Sequence, residues 1–97
     1  MLFRSALKLR PVYPEVHHDL AVVYIHRGMP GRAIEETRNA LAQNPAFEAA
    51  ILTLAEAYQK DGQPTRARDL LTEYLQKFSP QNPTYTEQAR TMLAALK

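Results

Sequence analysis

The chain has 97 residues, 45% of them hydrophobic, enough for one small domain with a packed core. Twelve basic and ten acidic residues give a formal net charge of +2, and the two signs alternate along the chain, so no clustered cationic surface for nucleic acid is expected. Cysteine is absent, which excludes a disulfide-stapled mini-protein and a thiolate metal site, and no apolar run approaches the roughly 20 residues of a membrane-spanning helix.

In chain order, the first thirteen residues place Phe3, Ala6 and Leu7 inward at helical spacing. Arg4 and Lys8 break the apolar stretch from Met1 to Leu9, so no signal peptide is expected there. From about Glu15 to Arg27, Val16, Leu20, Val23 and Tyr24 form one stripe at three- and four-residue spacing and predict a helix. Gly28 falls where a helix ends in a left-handed residue, and Pro30 suits the first turn of the next one. That second helix is predicted from about Pro30 to Gln43, with Ala33, Ile34, Ala40 and Leu41 inward. Asn44-Pro45 stops it, because proline disfavours a helical residue before it.

A third helix is predicted from about Glu48 to Lys60, followed by Asp61-Gly62 and a fourth helix from about Pro64 to Phe78. Ser79 to Pro83 reads as a polar turn with two prolines. Thr84 to Leu96 forms a closing helix with Tyr85, Ala89, Met92, Leu93 and Leu96 inward, and Thr86, Glu87, Arg90 and Thr91 outward. Exposed i,i+4 pairs, Glu56–Lys60 and Glu73–Lys77, are expected to add a few tenths of a kcal/mol each.

Shifting the chain by 34 residues aligns it with itself. Leu20 falls on Leu54, Ala21 on Ala55, Tyr24 on Tyr58, Gly28 on Gly62, Pro30 on Pro64, Ala33 on Ala67 and Leu41 on Leu75. Backwards by the same step, Ala40 falls on Ala6, Leu41 on Leu7 and Pro45 on Pro11. The predicted organisation is a half unit over residues 1–13, whole units over 14–47 and 48–81, and a closing helix over 82–97, about six helices in all. The apolar half unit at the start is expected to come from a longer scaffold protein.

These residues resemble the tetratricopeptide repeat family, whose unit is a pair of antiparallel helices with small residues where they cross. The first unit carries the pattern as His17, Leu20-Ala21, Tyr24, Gly28, Ala33, Thr37, Ala40 and Pro45. The second carries it as Ile51, Leu54-Ala55, Tyr58, Gly62, Ala67, Leu71, Tyr74 and Ser79. His17, Thr37 and Tyr74 depart from it, and Pro80 comes one place late. The resemblance implies an all-α solenoid winding as a right-handed superhelix. It also implies a protein or peptide ligand held in the concave groove lined by the first helix of each unit. Carried over, that groove consists of Glu15, His18, Val22, Ile25 and His26, then Ala49, Leu52, Glu56, Gln59 and Lys60. An apolar centre with mixed charge at its edges suits an extended or helical peptide with one or two apolar anchors.

The family's two-carboxylate clamp for acidic tails is not expected, because the clamp positions hold His18, Val22, Thr53, Pro83 and Glu87. His17 and His18 point about 100° apart on a helix, and His18 and His26 lie about 12 Å apart, too far for one ion. No metal, cofactor or catalytic constellation is expected, since no nucleophile–base pairing, phosphate loop or paired-carboxylate motif appears. Two other classes compete with a peptide binder. One is an oligomeriser that self-associates as a homodimer through the apolar residues 1–9. The other is a helical RNA binder, against which the 34-residue period and the groove acids Glu15 and Glu56 argue.

Overall fold

The computed structural model describes residues 13–77 and 83–96. They form five α-helices and, among the described residues, no strand: α1 (Pro14–His26), α2 (Pro30–Gln43), α3 (Glu48–Lys60), α4 (Pro64–Lys77) and α5 (Pro83–Ala95). The expected half unit over residues 1–13 lies outside the described residues apart from Tyr13. So does the self-association expected through residues 1–9, and most of the turn from Ser79 to Pro83.

Local chemistry sets the ends of these helices. Gly28 and Gly62 have φ of 74° and 76°, the left-handed region that a residue without a Cβ enters freely. Each closes the helix before it with a pair of reversed bonds. Gly28 N–H donates to the Ile25 carbonyl at 3.0 Å and Met29 N–H to Tyr24 at 2.8 Å, while Gly62 donates to Gln59 at 3.2 Å and Gln63 to Tyr58 at 2.9 Å. Pro14, Pro30, Pro64 and Pro83 each open a helix, where the missing N–H has no partner to lose.

Each helix packs on the next, and α3 also touches α1 and α5, whereas α2 and α4 do not meet. The first helices of the units, α1, α3 and α5, therefore form an inner layer, and α2 and α4 stand behind it. Ala21, Ala33, Ala55 and Ala67 are fully buried, which lets paired helices approach closely. One core cluster gathers Ile51, Leu71, Tyr74, Ala89 and Leu96; a second gathers Ala21, Ile34, Leu54 and Ala57. Leu41, Tyr58 and Leu70 pack against both. Where Thr37 departs from the aromatic pattern it is fully buried, and its hydroxyl donates to the Ala33 carbonyl at 2.8 Å and to Ile34 at 3.0 Å. A buried hydroxyl satisfied within its own helix removes most of the cost of placing it there.

Three sequence expectations are corrected. Val16, Leu20 and Val23 are 40–45% exposed rather than core, because no described helix covers that side of α1. Thr86 is buried rather than outward, since it lies beside the Tyr74 hydroxyl and hydrogen-bonds to it. The Glu73–Lys77 pair is present at 3.6 Å, but Glu56 and Lys60 form no ion pair.

Candidate functional site

The inner layer carries a groove that runs across α1, α3 and α5. One part is a hollow of about 200 Å³ lined by His18 and Val22 from α1, Leu52 and Glu56 from α3, and Tyr85 and Met92 from α5. A wider, open hollow of about 500 Å³ continues it past Glu56, Gln59, Lys60 and Met92. The floor is apolar because Leu52 closes it from below, 6% exposed and part of the larger core cluster. Val22 and Met92 stand half-buried on its walls.

Seven of the ten groove residues named from the sequence divide into three groups. Val22, Glu56 and Gln59 line the hollows. His18 and Leu52 line the smaller hollow but are engaged within the fold. His18 Nε2 lies 2.8 Å from Thr53 Oγ1, and its ring packs on Phe47 at 5.2 Å between centroids. Ile25 packs against the second core cluster, and His26 is exposed in the last turn of α1; neither lines these hollows.

Glu56 holds the middle of the groove. It is half-buried between the two hollows, and among the described residues its carboxylate makes no hydrogen bond or ion pair. His17, the chain neighbour of His18, turns instead to α2, where Nδ1 lies 2.7 Å from Glu36 Oε1. The adjacent histidines thus tie α1 to two different helices. Among the described residues no three histidine, cysteine, aspartate or glutamate side chains come together as a metal-holding group. No helix of the described residues is long and apolar enough to cross a membrane.

Sequence reasoning missed the contribution of α5, whose Tyr85, Gln88 and Met92 complete the far wall. The signal was present: Ala89 falls on Ala55 at the same 34-residue step, which makes α5 the first helix of a third unit. Helices in that place belong to the inner layer.

The tetratricopeptide repeat family model matches residues 26–96. No curated protein and no solved structure matches the chain.

Proposed function

The chain belongs to the tetratricopeptide repeat family, whose members are generally non-catalytic protein–protein interaction modules, and from that premise we propose that it binds a peptide segment of a partner protein in the groove between α1, α3 and α5. The observation that carries this reading is the half-buried, unpartnered Glu56 carboxylate set among Val22, Leu52, Tyr85 and Met92. A carboxylate facing an open groove can accept a hydrogen bond from a donor brought to it. The ligand that fits is a short segment with an apolar side chain for the hollow and a lysine, arginine or chain amide for Glu56. Mixed charge along the groove, Glu56 with Lys60, favours register over raw affinity.

A displayed random-peptide library, selected on the purified chain, tests the reading. Selected peptides should share an apolar residue next to a basic one. Val22→Glu, which fills the hollow with charge, and Glu56→Lys, which repels the basic residue, should each weaken the selected peptides about tenfold or more, roughly 1.4 kcal/mol. Asn39→Glu, on the exposed face of α2, should leave affinity unchanged. Loss of binding in the Asn39 variant with retention in the other two would move the site to the outer layer.

A further inference from the structure

Leu52, Glu56 and Lys60 follow one another on α3 at four-residue steps, about 6 Å apart along its axis. Leu52 is buried, Glu56 half-buried and Lys60 exposed, so the row climbs from the floor of the groove to its rim. The two hollows follow the same row. Leu52 and Glu56 line the smaller, Glu56 and Lys60 the larger, and Met92 of α5 lines both. With α1 on one side and α5 on the other, α3 is the floor of a trough that runs with its own axis. Glu56 and Lys60 are the charged side chains of the two linings, beside the His18 imidazole, which is engaged with Thr53. Opposite charges at this spacing commonly pair along a helix, yet no ion pair joins these two or ties either to another of the described residues. Both charges stay available to a ligand.

We propose that the trough takes an extended segment whose apolar, basic and acidic side chains are neighbours along one side, in that order from Leu52 to Lys60. This rests on the peptide-binding reading and adds to it the acidic residue, the spacing and the conformation. In an extended chain every second side chain points the same way, at intervals of about 6.6 Å, close to the step of the α3 row. The apolar side chain then enters the smaller hollow over Leu52, the basic one meets Glu56, and the acidic one meets Lys60. Exchanging the two charged residues would set like charges together at both places. An extended backbone also brings N–H and C=O groups without partners of their own, and the side-chain amides of Gln88 and Gln59 line the two hollows to receive them. A helix offers side chains at a similar step, but its backbone groups are already bonded and would leave these amides unused.

Selecting the displayed random-peptide library in parallel on the full parent chain and on Lys60→Glu tests the proposal. On the parent, the selected peptides should carry aspartate or glutamate two positions beyond the basic residue, on the side away from the apolar one. On Lys60→Glu the apolar and basic residues should persist, which also reports an intact fold, while the third position should change to lysine or arginine. A selected peptide remade with the amide in place of its acid should bind the parent about threefold more weakly, the effect of one exposed ion pair. The same peptide should bind Lys60→Glu at least as well as the acid does. An apolar and basic consensus with no acid preference, or with the same preference on both chains, overturns this inference and leaves the groove reading standing. An acid four positions from the base overturns the extended conformation. The absence of any apolar and basic consensus on the parent overturns both readings.

Discussion

Tyr74 lies 2% exposed on α4, and its hydroxyl donates to Glu48 Oε1 at 2.7 Å, tying α4 to the first turn of α3. Burial first, and then the Glu48 carboxylate as acceptor and as negative charge, raise its pKa from 10.0 to about 12; a hydrogen bond with Thr86 works the other way. Between those two values the unfolded chain has lost a proton that the folded chain keeps, so stability falls as pH rises through the interval and is fully present below pH 10. The loss amounts to about 2–3 kcal/mol in all. Tyr74→Phe should cost about 1 kcal/mol at neutral pH. Urea midpoints of the two proteins should then converge and cross between pH 10 and 12, because the variant has no phenol to ionise at this position. A constant difference across that range would mean the hydroxyl is not held as described. The sequence showed this residue only as a departure from an alanine pattern. Its partner is 26 positions away on another helix, a relation that no local spacing encodes.

The helices themselves were legible to within a residue or two. Glycine at a positive φ and proline at a first turn are backbone requirements, and the sequence states them directly at Gly28, Pro30, Gly62 and Pro64. Small residues at the crossings were equally plain. Ala55 is fully buried between α3 and its neighbours, so Ala55→Leu should destabilise the fold by about 1–3 kcal/mol through overpacking. Ala46→Leu, exposed in the turn between α2 and α3, should cost less than about 0.5 kcal/mol. Chemical denaturation of both variants checks the pair, and similar costs would put the crossing elsewhere. Rotation about a helix axis was less legible. Leu52 sits at a groove position yet is core, and Thr86 is polar yet inward, because each is decided by what the adjacent helix offers. The far wall of the groove was missed for the same reason: α5 reads as an end, and only its contact with α3 makes it a lining element.

At the scale of the molecule, the two core clusters both draw residues from α3, and Leu41, Tyr58 and Leu70 pack against both. Repeat arrays gain stability from such interfaces between neighbours, and their cooperativity resides there too. Leu41→Ala removes the link contributed by α2. It should cost about 1–3 kcal/mol, somewhat below a fully buried leucine because this one is half-exposed. It should also separate the transitions seen by helical dichroism and by tyrosine fluorescence, which are expected to coincide in the parent chain. Coincident transitions in the variant would place the coupling in Tyr58 and Leu70 alone.

The gap between α2 and α4 has a mechanical consequence. With α1, α3 and α5 touching in sequence and the helices behind them apart, the layer in front acts as a row of hinges and the layer behind as an open fan. Spreading or closing the fan tilts one unit against the next, because the backbones of α2 and α4 are not closely packed on each other. Bending about that row is therefore the compliant direction of the molecule. Stretching along it is stiff, because it must slide α1 over α3 or α3 over α5. A segment gripped from α1 to α5 spans two hinges, so it fixes their angles as it binds.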